Sequence, residues 1–355
     1  MTDELSSVTL HNVAELADPE WTADSGGTPQ ATDGEPTTAA RELRRVPTPV
    51  AARLNVAARE RVRHPAGSEI RFVPTGEDPV RITLSASEAT VARPFWGAFQ
   101  GAERLEIDDE PTSFELSPPE ALGGLDPAAA PAADEGFDPR VCRLRFEPWA
   151  RVAVHEVRGP CRPPDESETP ATRYLAYGTS ITEGAAASAT HLTYVSRVAR
   201  ELGLDPVNLG MSGSAYCEPA VAEHVAARDD WDVATLSLSV NMANRGFTVE
   251  QFRERARTLV TTVAKAHPDK PVACITLFPY HADLQHTGDR ERARAYRNAL
   301  ATVVEGCEAG RVTVVDGSDL TPATGLTTDL LHPGDAGMEA IADGVARHLR
   351  DRLST

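Results

Sequence analysis

Two short stretches of this 355-residue chain hold side chains that can do covalent chemistry. Residues 174–184 run Tyr, Leu, Ala, Tyr, Gly, Thr, Ser, Ile, Thr, Glu, Gly, so that Ser180 sits where an apolar run breaks at Gly178. Far downstream, Asp329, Leu330, Leu331 and His332 set a carboxylate and an imidazole three residues apart. A serine hydroxyl is a poor nucleophile at neutral pH and needs an imidazole to take its proton, and a carboxylate to orient that imidazole. Those three residue types are present. Asp329 would have to reach the ring from the same loop.

Acyl transfer also needs fixed donors for the charge that develops on the carbonyl oxygen. Two intermediate segments offer them: residues 208–214 read Asn, Leu, Gly, Met, Ser, Gly, Ser, and residues 239–242 read Ser, Val, Asn, Met. Gly210 and Gly213 lie in one turn and compete for the role, with Gly213 favoured for the backbone freedom it gives after Ser212. Alone, Ser180 could simply cap a helix, and Asp329 with His332 could be a surface pair. Four blocks in order, each just past an expected strand end, point to chemistry.

These blocks resemble those of the SGNH branch of the GDSL-type hydrolases. The resemblance spans residues 171–353 and implies Ser180 as nucleophile and Asp329 and His332 as its triad partners. It also implies an oxyanion hole built from the Ser180 and Gly213 amides and the Asn241 side chain. One departure stands beside the nucleophile: the aspartate usual there is Thr179, which bears on the shape of the pocket.

The elements that must position these residues divide the chain in two. In the second half, short apolar runs at 174–177, 207–209, 233–240, 272–277 and 312–315 alternate with segments of helical period. Thr248 and Gln251 form an expected capping box, after which Val249, Phe252, Leu259, Val260 and Val263 share a face; Met338, Ile341, Val345 and Leu349 do the same in a last helix. Buried strands with helical crossovers imply a parallel sheet covered on both faces, with ligands beyond the carboxyl ends of its strands. With the resemblance, the expected fold is α/β, a three-layer flavodoxin-like sheet. The first half shows alternating runs near 68–73, 80–85, 90–99, 113–116, 141–146 and 151–157 between Gly, Pro and Asp turns, which predicts a smaller all-β, jelly-roll-like sandwich. The expected division is 1–160 for the sandwich, 161–172 for a linker and 173–355 for the catalytic domain. Residues 21–38 and 122–135 read as long loops.

Other candidates are weaker. His281, Asp283 and His286 should fall near the same end of the sheet, as solvated loop residues; His281, His286 and Thr179 are candidate pocket residues. Phe95, Trp96 and Trp149 read as sandwich core, and residues 41–45 as a solvated basic face. Cys142, Cys161, Cys217, Cys274 and Cys307 are scattered and odd in number, which argues against a disulfide framework or a zinc cluster. Acidic residues number 53 against 35 basic ones, a formal net charge of −18, and Lys265 and Lys270 are the two lysines among 33 arginines. Such a balance is expected of a protein kept soluble in concentrated salt, the alternative being an acidic mesophilic protein from a genome rich in G and C, which also favours Arg over Lys; either way it offers no basic stretch for nucleic acid. No run of about 18 apolar residues occurs, and the amino terminus lacks a signal-type apolar core, so a cytoplasmic, non-membrane protein is expected.

Taken together, these readings predict a serine esterase of short-chain esters such as O-acetylated sugars, without metal or cofactor. An acyltransferase or thioesterase on the same triad and a silent carbohydrate-binding protein are the alternatives. The oligomeric state is not legible.

Overall fold

A computed structural model describes residues 5–22, 39–126 and 136–353. The chain divides into two compact units: residues 1–47 with 63–171, and residues 48–62 with 172–355. The excursion 48–62, two short helices α1 (Thr48–Ala51) and α2 (Val56–Arg61), thus groups with the carboxyl-terminal unit. Asn55 caps α2 through the Ala58 amide and also donates to Ser214 O and Glu218 within that unit.

Among its described residues the first unit is mostly β, with one short α-helix, α3 (Glu120–Gly123), and two 3-10 turns, Glu20–Thr22 and Glu166–Glu168. One antiparallel sheet joins β1 (Thr9–His11), β4 (Glu69–Pro74), β10 (Cys142–Phe146), β6 (Thr90–Trp96) and β7 (Phe99–Gln100), with β12 (Cys161–Arg162) on β4 and β8 (Leu105–Ile107) on β6. The other joins β2 (Glu15–Ala17), β3 (Arg41–Arg44), β11 (Val152–Arg158), β5 (Val80–Ala86) and β9 (Thr112–Leu116). Ile70, Phe72, Trp96, Leu144 and Phe146 from the one meet Leu43, Ile82, Leu84, Val152 and Val154 from the other in a shared core.

The polar alternates depart from expectation. Alternation in Glu69, Ile70, Arg71, Phe72 predicts one wet face, yet Glu69 and Arg71 are buried. Glu69 takes Arg71 Nε at 2.7 Å and Arg143 Nη2 at 2.6 Å. Burial pushes its carboxyl up, but Arg143, Arg71 and Arg145 outweigh that and hold it well below the usual range. Residues 41–45 are likewise no solvated face: Arg45 is fully buried on His64 O, and buried Glu42 is gripped by Arg63. Trp96 and Phe95 are buried, whereas Trp149 is exposed and meets His64 edge-on at 6.1 Å. The stretch 161–172 is ordered, through β12 and a turn in which Arg162 holds buried Glu168. Of the two expected loops, residues 23–38 and 127–135 lie outside the described residues.

The second unit is a five-stranded parallel sheet: β13 (Arg173–Gly178), β14 (Asp205–Gly210), β15 (Val233–Ser237), β16 (Pro271–Ile275) and β17 (Arg311–Val315), in spatial order β14-β13-β15-β16-β17. This is the flavodoxin-like order, whose switch point lies between β13 and β15. Helices α4 (Ser180–Glu183), α5 (Tyr194–Leu202), α6 (Pro219–Ala226), α7 (Val240–Asn244), α8 (Val249–Ala266), α9 (His281–Leu284), α10 (Arg290–Glu305) and α11 (Asp335–Leu353) complete it. On one face α5 and α11 bury Tyr194, Val198, Met338, Ile341, Val345 and Leu349 against Tyr174, Ala176, Val233 and Ile275. The capping box forms, Gln251 N donating to Thr248 Oγ1 and Thr248 N to Gln251 Oε1. One strand is shorter than its apolar run: β15 stops at Ser237, and Ser239, at φ +105°, turns the chain so that Val240 opens α7. No helix among the described residues is long and apolar enough to cross a membrane.

Candidate functional site

Ser180 is the first residue of α4, two residues past the end of β13 at the switch point of the sheet. Its Oγ lies 2.9 Å from His332 Nε2. His332 Nδ1 lies 2.7 Å from Asp329 Oδ2, so the three expected residues form one relay. The loop explains how a carboxylate three residues away reaches the ring. Thr327 N donates to His332 O, and Leu326 bridges to Pro333, which closes the loop on itself with Leu330 at φ +53°. Asp329 Oδ1 then accepts from the Thr327 hydroxyl and from the Leu331 and His332 amides at 2.8 to 2.9 Å. Burial pushes the Asp329 carboxyl up, but the His332 side chain and amide, the Thr327 hydroxyl and the Leu331 amide hold it well below the carboxylate range. It stays ionised, with Oδ2 free for the ring.

The oxyanion candidates separate on geometry. Gly210 N donates to Asn208 Oδ1 at 2.8 Å, so it is committed. A Cβ on Gly210 would also stand 2.3 Å from Glu183 N: this glycine lets β14 touch α4, the helix that Ser180 opens. Gly213 sits at φ +67°, and its amide has no partner among the described residues. Asn241, buried in the first turn of α7, accepts the Ala215 amide on Oδ1 at 3.1 Å. That fixes the amide so that Nδ2 is the end left to donate.

A link that the sequence pattern does not announce ties these parts together. Buried Glu183, in the same turn as Ser180, accepts the Ser212 amide at 2.5 Å. Helix α4 thereby holds the peptide next to Gly213. Asp335 at the start of α11 similarly accepts Ser188 N and Oγ, anchoring the loop after α4 beside the His332 loop. A glutamate three residues after a serine signals nothing in one sequence, because its partner is a backbone amide.

Thr179 lines a small cavity of about 10 Å³ with Ile181, Leu238, Val240, Phe278 and Leu331. The Thr179 Oγ1 is buried and finds no hydrogen-bond partner among the described residues. Of the other pocket candidates, neither His281 nor His286 lines this cavity; Tyr280 does, and His281 packs against it at 4.7 Å. Asp283 is taken by a two-pronged Arg297 at 2.7 and 2.8 Å.

The profile of the GDSL-like lipase/acylhydrolase family matches residues 172–350, just over half of the chain. No curated protein matches the sequence. Among solved structures, the chain is similar to a salicylyl-acyltransferase from a tetracycline biosynthetic pathway, at 15% identity over 98% of this chain and 95% of that one, with a TM-score of 0.75. It is also similar to a family two carbohydrate esterase from Cellvibrio japonicus, at 11% identity over 98% and 96%, TM-score 0.64. A third is a carbohydrate esterase family 2 enzyme with a carbohydrate binding domain from Corynascus thermopiles (Myceliophthora fergusii), at 17% identity over 89% and 100%, TM-score 0.61. At these identities the likeness is one of fold.

Proposed function

The chain belongs to the GDSL-like lipase/acylhydrolase family and is a carboxylic ester hydrolase, and on that premise we propose a serine esterase that removes short acyl groups, O-acetyl groups on a carbohydrate above all, through an acyl-serine intermediate. The observation that carries this reading is the relay from Ser180 Oγ through His332 to Asp329. His332 Nε2 takes the hydroxyl proton as Oγ attacks the acyl carbon. The Ser180 and Gly213 amides and Asn241 Nδ2 meet the oxygen that becomes negative. Collapse of the tetrahedral adduct breaks the bond to the alcohol, which leaves with the proton from His332. Water then gives a proton to His332 and attacks the acyl-serine, releasing the acid and restoring Ser180. Asp329 holds the ring and stabilises its charged form throughout.

The small cavity beside Thr179 supports a short acyl group, since it has room for about one water-sized unit. The carbohydrate part of the reading leans on the family two carbohydrate esterases that share the fold. Acidity with few lysines supports a salt-rich setting, in which activity should rise with KCl.

The test is hydrolysis of p-nitrophenyl acetate, butyrate and octanoate by wild type and Ser180→Ala, in dilute buffer and in molar KCl. Activity that prefers acetate and disappears in the variant is expected. Equal rates in the two proteins would remove Ser180 from the reaction, and preference for octanoate would remove the short-acyl reading. Transfer of the acetyl group to an added alcohol in place of release as acetate would assign acyl transfer instead.

A further inference from the structure

Four guanidiniums reach the loop of Gly213 and the turn after Asn241: Arg61, on α2, whose Nε donates to Ser212 O at 3.3 Å, and three that have no carboxylate bound to them. Arg255, on α8, donates to Tyr216 O at 3.1 Å. Arg292, on α10, donates to the carbonyls of Phe247 and Ala243 at 2.5 and 3.3 Å. Arg245, just past α7, is exposed, and a Cβ on Gly213 would stand 4.0 Å from its Nη2. Among the described residues none of the three forms a salt bridge; Arg200, Arg257 and Arg294 of the same unit form none either, while Arg53, Arg197, Arg228, Arg297 and Arg350 each hold an Asp or Glu, so it is their place beside the oxyanion candidates that sets the three apart. A bond to a carbonyl leaves the positive charge in place. Two carboxylates border the same loop, Glu183 of α4 on the Ser212 amide and Glu218 on Asn55 and attracted by Arg255; their neutral donors leave both negative charges in place, and the guanidiniums outnumber them.

This local positive rim runs against the rest of a chain of net charge −18, whose mean field repels anions. It borders the segments that supply the oxyanion donors. The cavity by Thr179 has room for about 10 Å³ and no charged side chain in its lining, its polar members being Thr179, Ser237, Thr276 and Tyr280, so it does not suit a charged group. We propose that Arg245 receives an anionic group, a carboxylate, phosphate or sulfate, carried on the alcohol portion of the ester, with Arg255 and Arg292 supplying the field that draws it there. The proposal rests on the serine-esterase reading and names the substrate class for it.

The experiment compares kcat/KM for 4-acetoxybenzoate, anionic on its alcohol side, with that for neutral 4-acetoxybenzamide. Arg245→Gln should lower the anionic-to-neutral ratio about five-fold, the scale of one exposed charge-assisted contact. Arg350→Gln removes the same charge from the far end of α11, about 22 Å from its start at 1.5 Å per residue, and should leave the ratio alone. Added 0.5 M KCl should shrink the wild-type ratio. A ratio unmoved by Arg245→Gln, or moved equally by Arg350→Gln, overturns the proposal while leaving the esterase intact. Hydrolysis that survives Ser180→Ala fails the esterase reading itself. Binding of 4-acetoxybenzoate to Ser180→Ala, with and without Arg245→Gln, judges the arginine without any turnover. Equal affinities there also overturn the proposal.

Discussion

Replacing Gly210 with alanine adds one methyl group at the contact between β14 and α4 that seats Ser180. The new Cβ would stand 2.3 Å from Glu183 N, 2.6 Å from Glu183 Cα and 2.8 Å from Thr182 C, where ordinary contact begins at 3.4 Å. Those atoms are backbone and cannot rotate aside, so β14 and α4 must part by about 1 Å, at an overpacking cost of about 1 to 3 kcal/mol. Because Ser180 opens α4, the hydroxyl moves with it, and a misplacement of about 1 Å costs about 100-fold in rate. Gly213→Ala is the comparison: its Cβ meets nothing nearer than 4.0 Å, and the strain is that of φ +67°, about 1 to 2 kcal/mol. Hydrolysis of p-nitrophenyl acetate and thermal unfolding should be measured on both. The structure predicts for Gly210→Ala a kcat down about 100-fold and a Tm lower by about 2 to 10 °C. Wild-type kcat and Tm in that variant would refute the packing argument and the route by which β14 fixes the nucleophile.

Three further outcomes follow from the same geometry. Asn241→Ala should lower kcat by about 100-fold or more with little change in KM, the usual loss for one oxyanion donor, and steady-state kinetics will show it. Glu183→Leu removes the acceptor for the Ser212 amide and should lower kcat about ten-fold or more, while Glu183→Gln keeps an acceptor oxygen and should recover most of it. Stability should fall in mild acid. Burial, then Arg352, pushes His348 down to about 4 from 6.5, and burial, then Arg228, does the same for His224. The folded chain thus refuses protons that the unfolded chain takes; this stabilisation is complete above pH 6.5 and lost as pH falls towards 4. Tm should drop across that window, and the His224→Gln, His348→Gln double variant should drop less.

The carboxyl-terminal sheet was legible because strands buried on both faces read as unbroken apolar runs, as at Tyr174 to Tyr177 and Val272 to Ile275. Its one overrun, past Ser237 into Val240, arose because a buried short helix is as apolar as the strand before it. In the first unit, β3 was hidden because its sequence is Arg, Glu, Leu, Arg: Glu42 is buried, but by ion pairing with Arg63, which no hydropathy pattern records. The same holds for Glu69 and its three arginines. Strands of two or three residues, such as β7 and β12, are too short for any period to register. In the site, residue types and spacing offered the serine, imidazole and carboxylate, and the resemblance joined them into a relay. The roles of Gly210 as a spacer and of Glu183 as a tether did not, since both act on backbone atoms brought near only by the fold.

The central claim is that Ser180 is the nucleophile of this relay. Treatment with a fluorophosphonate, followed by intact-mass and peptide analysis, tests it without any assumption about substrate. One adduct per chain, on the peptide containing Ser180 and absent from Ser180→Ala, is the predicted result. An unmodified folded chain, or an adduct that persists in Ser180→Ala, would contradict it.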